Sequence, residues 1–386
     1  MKNILLSLVT ISTLSTVNAM ASSTEIEELK AQMALMSKKI EKLEQQDSVE
    51  LNEKFAKASV VKSKVPTLKF SGTHYLGFVS SDDKGDKFES RRNYLQVKAY
   101  FEEDPKSFLR ITMDTHQIDD SLYIDEDGNS YGKDTYGTWN VRLKYAYLYL
   151  DDILPYTGVE IGQAHRPWID YEEHGSWNYR SVSKVFVEES NAGHLTNSAD
   201  LGINLKTKTE YFSSELGIFN GEGYHNVEDG EGLSAEWRLT GHIFGDGTKK
   251  RRKSSTYANI SFFGQMNADS NKHNNEDLNW YGIHAVYNQP EFLLAMQYIS
   301  TEDANEAYAG DGYSVNGEYR VTDKWNVIGK YDYWEMEEDA LEKERTLAGV
   351  SYEYNKNVEF ILNYLGTDIG NDYSDDAIML TAEVEW

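Results

Sequence analysis

The pattern of apolar positions changes period along this chain. Ile26, Leu29, Met33, Met36, Ile40 and Leu43 fall alternately three and four residues apart, which is the seam of a heptad repeat. Glu25, Glu27, Glu28, Lys38, Lys39, Glu41 and Lys42 take the other faces, as a solvated helix requires. The next seam positions are Asp47 and Glu50, so the repeat stops after about three heptads. This spacing predicts a periplasmic coiled-coil helix over 22–46, or an amphipathic helix lying on its own domain. A linker rich in Lys, Glu, Ser and Ala follows over 47–65.

From Pro66 the period becomes two. In the last ten residues one face reads Ile378, Leu380, Ala382, Val384, Trp386, and the other Ala377, Met379, Thr381, Glu383, Glu385. An unbroken apolar face opposite a mainly polar one belongs to a strand with lipid or core on one side. Leu95, Val97, Ala99 and Phe101 likewise oppose Tyr94, Gln96, Lys98 and Tyr100, and Leu201, Ile203 and Leu205 oppose Asp200, Gly202, Asn204 and Lys206. Val358, Phe360, Leu362 and Tyr364 oppose Glu359, Ile361, Asn363 and Leu365, a less clean alternation. Sixteen such segments are expected between 67–79 and 377–386, each the length a tilted strand needs to cross a bilayer.

The connections alternate too. Short turns at 103–106, 151–156, 208–210, 245–254, 289–290, 322–323 and 355–356 separate longer polar loops near 80–90, 117–139, 166–197, 221–233, 266–277, 301–312, 335–344 and 367–376. In a membrane barrel, short turns face the periplasm and long loops face outside. The expected fold is therefore an all-β transmembrane antiparallel β-barrel over 66–386, with both chain ends on the periplasmic side.

Composition narrows the setting. Met1-Lys2-Asn3, an apolar run from Ile4 to Leu14, and Ala19-Met20-Ala21 have the layout of a cleaved signal peptide over 1–21. The chain has no cysteine, which excludes a disulfide framework, a cysteine nucleophile and a thiolate metal site. Its formal charge of −26 argues against binding a phosphate backbone, so no nucleic-acid partner is expected. The acidic excess concentrates in the long loops. Such a rim would gather cations at a pore mouth or hold divalent ions that bridge to lipopolysaccharide. A terminal Trp386 resembles the signal by which outer-membrane barrels meet their assembly machinery.

The third loop, 166–197, is the longest. At sixteen strands a barrel is wide enough for a water-filled channel, and rings of opposed charge inside it orient a solute. The candidate constriction residues are Arg166, Asp170, Glu172, Glu173, Arg180 and Lys184, with Glu188 and Glu189 beside them. The alternative is that this loop forms an outer cap. Lys98, Arg110, Asp114, Arg142, Lys144, Glu160, Lys206 and Arg238 alternate with apolar positions and are expected to face the lumen, as are Glu236 and Glu318.

Gly162-Gln163-Ala164-His165-Arg166-Pro167, Asp200-Leu201-Gly202 and Phe219-Asn220-Gly221 resemble motifs of the phosphate-selective porin O/P superfamily. The resemblance covers about 60 residues and implies a homotrimeric sixteen-stranded porin. Members that take up phosphate use an arginine ladder and a lysine cluster. The third loop here carries five acids against three bases, so the resemblance speaks for the barrel rather than for the solute.

Enzymatic signatures are missing: there is no Gly-x-Ser-x-Gly elbow, no His-Glu-x-x-His, and no Walker or Rossmann glycine pattern. His165, His174 and His194 share the third loop without a metal-ligand spacing. Asp125-Glu126-Asp127-Gly128-Asn129 reads as an acidic turn, and Lys249-Lys250-Arg251-Arg252-Lys253 as a basic periplasmic turn. The sequence thus predicts an outer-membrane porin that passes small hydrophilic solutes or ions, seated in lipid and lipopolysaccharide. It needs no cofactor, metal or catalytic residue. The rivals are a structural or adhesive barrel and a rim-located hydrolase.

Overall fold

The computed structural model describes residues 34–35, 38–39, 67–117, 123–124, 130–131, 139–225, 232–270, 276–306, 308–337, 340–371 and 373–386. The chain divides into two units, Met1–Val61 and Lys62–Trp386. In the first, Ala34, Leu35, Lys38 and Lys39 are helical. The expected signal peptide, the rest of the coiled coil, the linker and the acidic turn at 125–129 lie outside the described residues.

The second unit is a closed antiparallel barrel of sixteen strands, each hydrogen-bonded to its neighbours in sequence. They are β1 (Thr67–Ser81), β2 (Gly85–Tyr100), β3 (Phe108–Gln117), β4 (Trp139–Leu154), β5 (Thr157–His165), β6 (Ala199–Lys208), β7 (Phe212–Phe219) and β8 (Ser234–Phe244). There follow β9 (Tyr257–Ser270), β10 (Glu276–Gln289), β11 (Phe292–Asp303), β12 (Gly310–Arg320), β13 (Trp325–Met336), β14 (Glu342–Asn355), β15 (Val358–Ile369) and β16 (Tyr373–Glu385). A two-residue ladder, Tyr123–Ile124 with Ser130–Tyr131, stands apart. Among the described residues no helix is long and apolar enough to cross a membrane.

Burial is inverted relative to a water-facing sandwich. Along β9, Ile260, Phe262 and Met266 are exposed, whereas Asn259, Ser261, Gln265 and Asn267 are buried. Along β16, Ile378 and Leu380 are exposed while Thr381 is buried. Period-two alternation puts most apolar side chains on the outer face and most polar ones inside, apart from a set of inward apolar residues such as Phe263 and Ile299.

Closure joins β1 to β16 in the register Thr73↔Glu385 to Ser81↔Ala377. At that seam the Gly72 amide donates to the Trp386 carbonyl (3.0 Å), and the Trp386 indole N–H donates to His74 Nε2 (3.0 Å). The indole occupies the space where a Cβ on Gly72 would stand, which is why the seam has glycine there.

The strands run further than expected on the long-loop side. The predicted loop 80–90 shrinks to 82–84, 335–344 to 337–341, and 367–376 to 370–372. Polar residues on both faces do not stop a ladder once its hairpin is aligned, so these pairs extend as ribbons.

Candidate functional site

The third loop, 166–198, begins at a buried joint. Gly162, with φ of +121°, approaches Ala146 too closely for a side chain and turns the end of β5. Arg166 then sends its Nη2–H to Asp200 Oδ2 (2.8 Å) and to the Gly221 carbonyl (3.1 Å), and its Nε lies 3.1 Å from Glu236 Oε1. The Gly221 amide, at φ of +108°, donates to the same Asp200 oxygen at 2.8 Å. Three short motifs far apart in sequence thus meet at one place, and each contributes a partner. Arg166 also bonds Thr196 at the far end of the loop, so both roots are pinned together.

From this joint the loop passes through the barrel interior. Trp168 stacks on Phe263 of β9 with ring centroids 3.6 Å apart. Asn316 of β12 donates to the Ser176 carbonyl (2.7 Å), Lys330 of β13 to that of Lys184 (2.9 Å), and Arg91 of β2 to that of Ser181 (2.9 Å). Partners on β2, β9, β12 and β13 can be reached together only from inside the ring, which overturns the outer-cap alternative. Short helix α1 (Ile169–Glu173) lies in this path.

One face of the loop is dry. Trp168, Trp177, Tyr179, Val185, Phe186 and Leu195 pack on the inward-facing Phe263, Trp280, Ile299, Ile328, Trp334, Leu347 and Ile361. Each large apolar side chain so buried contributes roughly 1.5–3 kcal/mol. The loop is therefore glued to the wall formed by β9–β15. The inward Ile361 and Leu365 that spoiled the alternation of β15 belong to this contact.

The opposite wall stays polar. Arg142 Nη2 lies 2.9 Å from Asp114, and Lys144 Nζ donates to the Tyr94 hydroxyl at 2.7 Å. Arg110 bonds His165 (2.9 Å) and Tyr147 (3.2 Å), and Lys98 sits 4.6 Å from the Phe108 ring centre. Lys206 bridges Glu160 and Glu215, each at 3.2 Å. Facing them, Arg180 pairs with Glu173 and with Glu188 (2.6 Å). Burial opposes ionisation of Glu188, but the Arg180, Lys184 and Arg92 charges outweigh it and hold the carboxyl well below its ordinary range. A cavity of about 730 Å³ lies between Asp170 and His174 of the loop and the wall residues Lys98, Arg110, Glu160 and Lys206.

The structure thus divides the predicted site residues. Asp170, Glu173, Arg180 and Lys184 lie on the loop's polar side, with Lys98, Arg110, Asp114, Arg142, Lys144, Glu160 and Lys206 on the inner wall. Arg166 and Glu172 do not: Arg166 is locked in the root joint, and Glu172 is fully buried against Trp168 and Gln297. Arg238 is inward but covered, lying 4.3 Å from the Tyr171 ring centre and bonded to Glu215. Glu236 belongs to the root joint, and Glu318 pairs with Arg320 (3.0 Å). Among the described residues no group of three or more His, Asp or Glu is placed to hold a metal, and His194 packs on Tyr308, apart from His165 and His174. Spacing alone missed Arg91, Lys330 and Arg345, and it placed Lys249–Lys253 in a turn without showing that Arg251 reaches the third loop at Tyr171. Arg345, for example, bonds both Glu189 (3.1 Å) and Asp332 (3.2 Å).

No protein-family profile matches the chain, and no curated protein matches it in sequence. Solved structures match in fold. An anion-selective porin from Comamonas acidovorans aligns with a TM-score of 0.58 at 10% identity, covering 83% of this chain and 100% of that one. OmpF of Salmonella typhi, in complex with daunomycin, gives 0.57 at 11%, covering 85% and 100%. OmpT of Vibrio cholerae, an outer membrane protein, gives 0.56 at 14%, covering 85% and 100%. At these identities the similarity shows the barrel fold alone.

Proposed function

We propose that this chain is an outer-membrane porin that passes small hydrophilic solutes or ions by diffusion, with no covalent step. The observation that carries the reading is the two-faced third loop. Its apolar side seals half of the lumen against β9–β15, and its charged side stands across a cavity from a basic wall. That arrangement narrows a wide barrel without filling it and sets a transverse field across the remaining path. Asp114, Glu173 and Glu188 are each engaged by arginine, while Arg92, Lys98, Arg110 and Lys144 have no carboxylate within 4 Å among the described residues. The interior field therefore favours anions, against the acidic rim.

The apolar outer band suits lipid and lipopolysaccharide, Trp386 at the seam suits recognition by the barrel-assembly machinery, and a homotrimer is the assembly that the resemblance to the porin O/P superfamily implies. Planar-bilayer recording of the purified full chain tests the reading. Stepwise conductance in groups of three, with reversal potentials on the anion side, is the expected result. Silence from folded protein would leave a structural barrel.

A further inference from the structure

The connection between β8 and β9 stands out on the short-turn side. It runs from Gly245 to Thr256 and carries Lys249, Lys250, Arg251, Arg252 and Lys253. An ordinary turn would leave these cations in water at the rim. Here the turn folds under the third loop. The Arg251 guanidinium donates to the Tyr171 carbonyl and covers the Tyr171 ring, 3.7 Å from its centre. On the other side Lys253 Nζ lies 2.9 Å from Glu353, and its carbonyl accepts from Arg320 (3.1 Å) and Asn288 (3.2 Å). The turn is thus tied both to the loop and to the walls of β10, β12 and β14.

This anchoring carries Thr248 and Lys250 to the lining of the 730 Å³ cavity, on its turn-side margin with Lys208 and Lys106. Lys106 is neutralised by Asp151 (3.0 Å) and Lys206 by Glu160 (3.2 Å). Lys208 and Lys250 have no carboxylate within 4 Å among the described residues. The long loops at the other mouth are acidic, so the fixed charge changes sign along the axis.

We propose that the β8–β9 turn is a second selectivity element, placing Lys250 at the turn-side exit so that the exit repels cations and the current is rectified. This rests on the porin reading above. Arg251 and Lys253 position the turn, and Lys250 is the residue that solutes meet. A charge at a narrow, low-dielectric opening changes the local concentration of passing ions, and asymmetric placement makes that change depend on the sign of the voltage.

The cysteine-free chain allows a clean test. Lys250→Cys supplies the only thiol, on an exposed turn position whose replacement spares the barrel. Full-length protein is recorded in an oriented planar bilayer while a methanethiosulfonate reagent bearing either a sulfonate or an ammonium group is added to the turn-side chamber. The sulfonate is expected to lower the anion-to-cation permeability ratio about twofold and to alter the ratio of currents at opposite voltages, and the ammonium to restore both. Lys324→Cys, at the exposed β12–β13 turn away from this cavity, should respond to neither reagent. Conducting channels in which both reagents react at position 250 without changing either ratio would overturn the turn's role and leave the porin standing. Failure of the unmodified chain to conduct would instead overturn the porin reading.

Discussion

Glu172 offers a direct way to loosen the third loop without touching its polar face. Its carboxylate is fully buried in the dry contact and accepts hydrogen bonds from the Trp168 indole and the Gln297 amide. The nearby Lys330 is already committed to Asp332 at 2.9 Å. Burial dominates, and the carboxyl is pushed up from an ordinary 4.5 to about 7. The docked loop therefore holds a proton that the undocked loop gives up. Docking is strongest below pH 4.5 and weakens as pH rises through the interval up to about 7, above which the loss is complete.

The displaced titration corresponds to about 3–4 kcal/mol, or roughly three hundredfold in the undocked population. Several tryptophan- and phenylalanine-sized burials outweigh that amount, so the loop opens more often at high pH without leaving the lumen. Limited tryptic cleavage at Arg180 and Lys184 of the folded barrel measures the opening. In the wild type, cleavage corrected for the protease's own pH profile should rise steeply between pH 5 and about pH 7 and stay level from there to pH 8.5. Glu172→Gln keeps the shape, and its amide can bond Gln297 after a flip, so its profile should be flat. A slope that survives in Glu172→Gln would refute this account of the carboxyl.

Two further perturbations separate the dry contact from the root joint. Trp168→Ala removes the ring stacked on Phe263 and should cost about 3–5 kcal/mol of docking, seen as larger unitary conductance and faster loop cleavage from a barrel that still resists heat in detergent gels. Unchanged conductance would show that this contact does not hold the loop. Arg166→Gln strands the Asp200 and Glu236 carboxylates in the buried joint and should cost about 3–5 kcal/mol in urea unfolding, most of it regained when Asp200→Asn and Glu236→Gln are added. A triple variant no better than the single one would mean that the joint is held by shape rather than charge.

The barrel was legible because each strand must solve the same problem twice, once toward lipid and once toward water. Ile378, Leu380 and Trp386 on one face and Thr381 and Glu383 on the other leave little choice of class. The root joint was half legible. Its three motifs can be read, but nothing in one dimension says that Arg166, Asp200 and Gly221 share hydrogen bonds. The charged residues of the third loop were assigned to the aperture because charge is ordinarily wet. Glu172 escapes that rule through two neutral donors, and Arg166 through two carboxylates. The basic turn at Lys249–Lys253 is legible as a turn, but its contacts are not, for the converse reason: an exposed lysine run at a turn looks complete without a partner. The inward course of its backbone depends on Glu353, Arg320 and Asn288, which lie on strands far along the chain.

The defects in the alternation are themselves informative. A strand of a water-filled membrane barrel should be apolar outside and polar inside. β9, β10, β11, β13, β14 and β15 break this rule with Phe263, Trp280, Ile299, Ile328, Leu347 and Ile361 on the inner face. The inner faces of β2, β3, β4 and β6 instead carry Lys98, Arg110, Lys144 and Lys206. Large apolar groups facing an aqueous lumen would be unfavourable by roughly 25 cal/mol per Å², so their presence requires a cover, and among the described residues the third loop supplies it with Trp168, Trp177, Tyr179 and Phe186. Strands with two apolar faces therefore mark the sealed half of the barrel, and strands with a basic inner face mark the open half. Which part of the lumen is covered and which is left polar follows from the quality of the alternation, strand by strand, and the net acidity of the whole chain says nothing about it.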